Sequence, residues 1–219
     1  METARHRDQM EVLIRSLQAH WSERHNYYVG GNMFLYHSRE QPRQRQKVRG
    51  PDFFFVQDVD GTRERRYWWV FEEGGKYPDT IIELLSPSTA EVDRTTKKDL
   101  YEQTFRTPGY FCYDPETRKL EGWRLNGQFH YQALVPNERG WLWSAELGLW
   151  LGTWEGVYLE QQAVWLRFYT PEGALVLIEA ESEHHRAEHE HQRAEALAAE
   201  VARLQALLRE KGIPPETGA

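Results

Sequence analysis

Apolar side chains recur three and four positions apart near the start of the chain, which is the spacing of an amphipathic helix. This pattern predicts a helix over residues 7–22 with one buried face. The positions that carry the pattern are Met10, Leu13, Ile14, Leu17 and Trp21.

Four segments with the composition of β-strands follow this helix. The first two flank a Gly30-Gly31-Asn32 turn, and together they predict a β-hairpin. The third comes after a basic stretch that is predicted to be extended over residues 43–49. The four predicted strands are residues 27–29, 33–36, 53–56 and 67–71.

A strand, a helix and another strand then follow one another within about 35 residues. The apolar segment over residues 80–85 does not alternate, which favours a strand covered on both faces. The helix is predicted over residues 91–106 and the next strand over residues 110–113. This order indicates a βαβ unit in an α/β (mixed α+β) domain.

Strand patterns dominate the next part of the chain, residues 119–178. Asn126-Gly127 separates two of them and predicts a hairpin, and a Pro-Glu-Gly turn separates residues 165–169 from residues 174–178. The tryptophans of this part are predicted to be large core residues. They are Trp141, Trp143, Trp150, Trp154 and Trp165.

The composition changes abruptly at Glu179. From there to Lys211 the chain has no Gly or Pro, which predicts a long helix, and apolar residues in its second half indicate a short coiled-coil seam. We therefore expect one domain over residues 1–178, a coiled-coil helix over residues 179–211 and a flexible tail over residues 212–219.

The composition fits a folded protein of a reducing compartment. Aromatic residues make up 13% of the 219 residues, which is enough for a sizeable core. The chain has no apolar run of about 18 residues and no signal-peptide centre, so a cytoplasmic location is expected. Its single cysteine, Cys112, is expected to be a small core residue.

The net charge of -7 does not point to nucleic acid, but the distribution of charge leaves that partner open. Arg43, Arg45, Lys47 and Arg49 occupy alternate positions, so an extended chain presents all four on one side, just before Asp52. Such a row either contacts phosphates or forms a charged edge or loop that resists aggregation, and the sequence favours neither.

Asp52 and Glu83 are the carboxylates that stand inside apolar strand patterns. An ionised side chain buried there persists if it is paired, protonated or bound to a cation. If the two strands are neighbours, both carboxylates can hold a hard cation such as Mg²⁺ or Mn²⁺. The alternative for Glu83 is a buried ion pair, and Asp79 is expected to shape the turn after Pro78.

The helix predicted after Glu83 adds a cation. Asp93, Lys97 and Tyr101 are four residues apart and share one face of this helix. Lys97 could therefore project toward the end of the Glu83 strand, although a solvated pair with Asp93 is the simpler interpretation. Lys98 points about 100° away and is the weaker candidate.

Four motifs now stand in order along the chain, and together they resemble the Uma-two family of endonucleases. This family belongs to the PD-(D/E)XK, restriction-endonuclease-like superfamily, and the resemblance covers about residues 26–135. The motifs are GPDFFFV at residues 50–56, PDTIIELLSPST at residues 78–89, D-x-x-x-K-x-x-x-Y at residues 93–101 and YFCYDP at residues 110–115.

The resemblance implies a restriction-endonuclease-like core, in which helices flank a central mixed β-sheet. It also implies a metal-dependent endonuclease that hydrolyses DNA. By matching positions it implies that Asp52 and Glu83 are catalytic and hold Mg²⁺ or Mn²⁺, with the carbonyl of Leu84 as a further ligand. The usual lysine of the superfamily would fall on Leu85, and the resemblance places the catalytic lysine on the following helix, at Lys97.

Three further positions match the family less directly. Asp93 and Tyr101 correspond to supporting positions on the helix, and Asn32 stands where several relatives have an acidic residue. The absence of an acid at Asn32 slightly favours one alternative to an active enzyme, a catalytically inactive nucleic-acid-binding module on the same fold. A coiled-coil interaction protein is the other alternative, and either the core or residues 182–211 could form a homodimer.

Overall fold

The structure is a computed structural model that describes residues 4–38, Gln41 and residues 50–211. It divides into two compact units, Met1–Ile178 and Glu179–Ala219. Within the described residues, no helix combines the length and the apolar character that crossing a lipid bilayer requires.

The first helix, α1, spans Ala4–His20 rather than residues 7–22. Its predicted apolar face is confirmed, because Leu13 and Leu17 are fully buried and Met10, Ile14 and Trp21 are half-buried against the same core. The side chain of Gln9 bonds to the backbone of Leu166 twice, donating to its carbonyl oxygen at 2.9 Å and accepting from its N–H at 2.7 Å. These two bonds fasten α1 to the strand that contains Leu166.

Eleven strands are seen in the part of the chain that the structure describes, and they form three sheets. They are β1 (Tyr27–Gly30), β2 (Leu35–Tyr36), β3 (Phe53–Gln57), β4 (Trp68–Trp69), β5 (Thr80–Leu84), β6 (Gly109–Asp114), β7 (Lys119–Leu125), β8 (Tyr131–Ala133), β9 (Leu142–Ser144), β10 (Leu149–Tyr158) and β11 (Gln161–Tyr169).

The central sheet has the order β1-β3-β5-β6-β7-β8. β5 and β6 are parallel, and every other neighbouring pair in this sheet is antiparallel. This arrangement confirms the mixed sheet, the βαβ unit and the hairpin at Asn126-Gly127. All five residues of β5 are buried, as expected for a strand covered on both faces.

The crossover from β5 to β6 is a helix that changes its winding. It is α-helical over Ala90–Val92 and Lys98–Leu100 and forms wider π turns over Asp93–Lys97 and Tyr101–Phe105. We call the whole segment, residues 90–105, α2. An α turn holds 3.6 residues and a π turn is wider, so alternating the two keeps positions four apart nearly in line.

The hairpin predicted around Gly30-Gly31-Asn32 is wrong. β1 pairs with β3, and β2 instead forms a parallel two-stranded ribbon with β4. Gly31 serves a close approach of two backbones, since a Cβ there would lie 2.1 Å from the carbonyl oxygen of Asp52. The local turn signal therefore marks a packing constraint rather than a strand reversal.

A second sheet, β11-β10-β9, is antiparallel and packs on the face of the central sheet that also carries α1. Phe53 and Phe168 meet in this core with their ring centroids 5.9 Å apart. The strand predicted over residues 174–178 is wrong, because only a single bridge joins Leu175 to Tyr169. Of the five tryptophans predicted as core, Trp165 is fully buried and the other four are half-buried.

The second unit contains one helix, α3, over Glu179–Glu210. Four large apolar side chains of this helix are exposed by 41–60%, and they are Leu197, Val201, Leu204 and Leu207. The coiled coil stays a prediction, and the tail at residues 212–219 lies outside the described residues.

We predict that Cys112 resists thiol reagents in the native protein. The side chain is fully buried on β6, and burial raises the pKa of its thiol to about 12. Since the thiolate is the reactive form, Ellman's reagent at about pH 8 should modify native protein negligibly and urea-unfolded protein completely. Rapid modification without denaturant would contradict this burial.

Candidate active site

Asp52 and Glu83 meet where β3 begins and β5 ends. The two strands are antiparallel and pair Phe53 with Ile82, and continuing this register by one residue places Asp52 opposite Glu83. The Asp52 side chain accepts the N–H of Leu84 at 2.8 Å through Oδ2, and its own N–H donates to Glu83 Oε2 at 3.4 Å. Both carboxylates therefore belong to one small site.

Glu83 is completely buried, and other side chains hold both of its oxygens. The hydroxyl of Tyr101 donates to Oε1 at 2.8 Å, and the ammonium of Lys97 lies 2.9 Å from Oε2. Burial raises the pKa of Glu83, the charge of Lys97 opposes that shift, and the negative charge of Asp52 adds to it. The site is thus short of positive charge.

Lys97 bridges two carboxylates of different elements. Its ammonium lies 2.9 Å from Glu83 Oε2 and 2.8 Å from Asp93 Oδ1, and only 23% of the side chain is exposed. Burial lowers the pKa of Lys97, but both partners more than offset this, so the pKa is raised. The interpretation of Lys97 and Asp93 as a solvated surface pair is therefore wrong. Lys98 lies over the ring of Trp123 instead.

His6 is a neighbour of Asp52 that the sequence analysis missed. Its Nε2 lies 3.0 Å from Asp52 Oδ1. Burial works against ionisation of Asp52, but the hydrogen bonds from His6 and from the Leu84 N–H outweigh it, so the pKa is lowered. The sequence did contain a signal that His6 faces the core. His6 is four residues before Met10 and seven before Leu13, so it lies on the buried face of α1.

The remaining candidate positions lie apart from this set or outside the described residues. Asp79 accepts the N–H of Gln57 at 2.8 Å, at the opposite end of β5 from Glu83. The N–H of Asn32 donates to the carbonyl oxygen of Pro51 at 2.9 Å, which places Asn32 beside the start of β3. The four basic residues of the row that precedes Asp52, Arg43, Arg45, Lys47 and Arg49, lie outside the described residues.

The candidate site carries excess negative charge, which a divalent cation would balance. Three carboxylates, Asp52, Glu83 and Asp93, face one lysine, and His6 is a second cation only when it is protonated. Over the described ranges, no three His, Cys, Asp or Glu side chains form a ligand cluster, so backbone oxygen and water would complete a shell. Mg²⁺ commonly accepts such a shell.

The mixed sheet and its crossover helix place the chain in the α/β (mixed α+β) class. A family model described as "Uma2: Putative restriction endonuclease" matches residues 1–160, and the chain belongs to this family. A solved structure of a putative nuclease belonging to DUF820, from Anabaena variabilis ATCC 29413, is 13% identical. The match covers 67% of this chain and 75% of that chain, with a TM-score of 0.47. No curated protein matches the chain.

We predict that Glu83 makes the stability of the metal-free protein depend on pH. Burial raises the pKa of Glu83 to about 8, whereas the unfolded chain releases this proton near its ordinary value of about 4.3. The contribution of this group is therefore complete at low pH and is lost as the pH rises toward about 8.

Thermal unfolding in EDTA between about pH 5 and pH 8.5 measures this effect. We expect the melting temperature to fall over this interval and Glu83→Gln to remove most of the fall. Glu91→Gln, at an exposed position at the start of α2, is the control. Equal pH slopes for the wild type and Glu83→Gln would show that Glu83 stays ionised throughout.

Proposed function

We propose that this chain is a metal-dependent endonuclease that hydrolyses DNA phosphodiester bonds at Asp52, Glu83 and Lys97. The observation that carries the proposal is the placement of Asp52 opposite Glu83, with the Lys97 ammonium 2.9 Å from Glu83. Membership of a family described as restriction endonucleases supports it. No other set of charged side chains in the described residues combines these features with a fully buried carboxylate.

Asp52, Glu83 and the carbonyl of Leu84 would hold the cation, either Mg²⁺ or Mn²⁺. In a strand, the N–H and C=O of one residue point to the same side, and the Leu84 N–H points to Asp52. The Leu84 carbonyl is therefore expected to point to the edge of β5 that faces Asp52. When bound, the cation would neutralise charge on the scissile phosphate and lower the pKa of a water molecule.

The protein's own side chains would orient this site and balance its charge. Tyr101 fixes Oε1 of Glu83, and His6 fixes Oδ1 of Asp52. Asp93 keeps Lys97 protonated and aimed at Glu83. Lys97 is the one member of this set that combines a permanent positive charge with partial exposure, so it can neutralise charge that develops on the phosphate.

A catalytically inactive nucleic-acid-binding module is the second candidate. It is favoured by Asn32, which lies beside the start of β3 and has an amide where the family resemblance leads us to expect an acid. Such a protein would bind DNA but would bind Mg²⁺ poorly, because fewer carboxylates would face the ion.

We predict that three substitutions abolish or strongly slow Mg²⁺-dependent cleavage of plasmid DNA. Asp52→Asn and Glu83→Gln remove ligand charge and should reduce cleavage to background. Lys97→Met should slow it by about 100-fold or more, as expected for the loss of a group that stabilises developing charge. Asp99→Asn, at an exposed position on α2, should cleave like the wild type.

Calorimetry with Mg²⁺ and Mn²⁺ separates the two candidates. Binding to the wild type, and its loss in Asp52→Asn and Glu83→Gln, supports the endonuclease. Equal cleavage by the wild type and all three variants rejects the assigned residues. A folded wild type that binds DNA without binding metal or cleaving supports the inactive module. Thermal melting of each variant checks that activity is not lost through unfolding.

A further inference from the structure

The β2–β4 ribbon carries aromatic side chains on its solvent side. Leu35 and Trp68 pair across the ribbon and are buried, so their neighbours along each strand point the other way. Phe34 is 52% exposed, Tyr67 is 40% exposed and Tyr36 is half-buried. We call Phe34, Tyr36 and Tyr67 the aromatic strip.

The rings of the aromatic strip are neighbours. The ring centroids of Phe34 and Tyr36 are 6.3 Å apart with planes 30° apart, and those of Tyr36 and Tyr67 are 5.8 Å apart. Outward positions on a strand with one solvated face are normally polar. Single exposed apolar residues are common, but adjoining exposed rings indicate a binding surface.

The aromatic strip begins at the edge of the candidate active site. Phe34 follows Met33, whose carbonyl oxygen lies so close to Gly50 that a Cβ there would be 1.4 Å away. Gly50 is two residues before Asp52, a span of roughly 7 Å of extended chain. A nucleic acid whose phosphate lies at Asp52 and Glu83 would therefore pass close to Phe34.

An exposed cation adjoins the aromatic strip. Arg66 is exposed and directly precedes Tyr67. Arg63 is 51% exposed but lies 3.5 Å from Glu73, and Glu64 and Glu72 are exposed in the same segment. Nearby Glu73 is neutralised by Arg65, whose Nε lies 2.9 Å from Glu73 Oε1.

We propose that the aromatic strip stacks unpaired nucleobases, so that the substrate is single-stranded or locally unpaired beside the scissile phosphate. Flat exposed rings next to cations are the surface on which successive bases of a single strand stack. Bases inside a duplex are already stacked and cannot offer their faces. This inference rests on the proposed function for the position of the phosphate.

Fluorescence anisotropy in EDTA tests the proposal without cleavage. The probes are labelled 20-nucleotide oligo-dT, oligo-U of the same length and a DNA duplex of the same length. We expect Phe34→Ala and Tyr67→Ala to bind single strands at least about fivefold more weakly than the wild type, with duplex affinity unchanged within about twofold. Phe34→Trp, which keeps a stacking ring, should restore binding.

Phe129→Ala is the matched control. Phe129 is 51% exposed, like Phe34, but it lies in the β7–β8 turn, at the end of the sheet opposite Glu83. It should leave every affinity unchanged. Weakening on oligo-dT, on oligo-U or on both supports base stacking and identifies which sugar the surface accepts.

Several outcomes overturn the proposal. They are unchanged single-strand affinity in Phe34→Ala and Tyr67→Ala, equal weakening on the duplex, and no single-strand binding by the wild type. Dissociation of a wild-type dimer by these variants, measured by sedimentation, would assign the strip to a second copy instead. Failure of the proposed function is distinguishable, because a protein without cleavage can still show strip-dependent binding in EDTA, and an active one can lack it.

Discussion

The structure of the site depends on how one carboxylate, Glu83, is accommodated at a fully buried position in the central sheet. An isolated ion there would cost more than folding can supply, so each neighbouring element contributes a partner. α2 provides Lys97 and Tyr101, and the start of β3 provides a backbone N–H. The pairing of strands, the position of the crossover helix and the electrostatics of the site are therefore one linked arrangement.

The sequence predicts the part of this arrangement in which a charged residue differs sharply from its apolar neighbours. A glutamate in an apolar strand and an aspartate that leads into an aromatic one are visible because carboxylates are rare in such places. The strand–helix–strand order then limits how β5 and β6 can pair. Asp52, Glu83 and Lys97 could thus be selected as candidates, and the structure brings their side chains together.

The features that escaped prediction depend on contacts between distant segments. β1 pairs with β3 across a separation that no local turn signal records, and Gly31 serves a close backbone approach instead of a hairpin turn. The π turns of α2 carry no recognisable pattern of side chains. His6 reaches Asp52 because α1 packs on the core and is fastened to Leu166 by Gln9. Periodicity shows which face of a segment is apolar, but it does not show which other segment packs against that face.

The position of the lysine has a mechanical consequence. Leu85, two residues beyond the buried glutamate, packs into the apolar core around Phe105, and the cation comes from a helix in a separate layer. A lysine on a strand moves only when the sheet moves, whereas this one moves with α2. Substitutions that slide or rewind the helix would therefore move the ammonium relative to Glu83 while the strand pairings are kept.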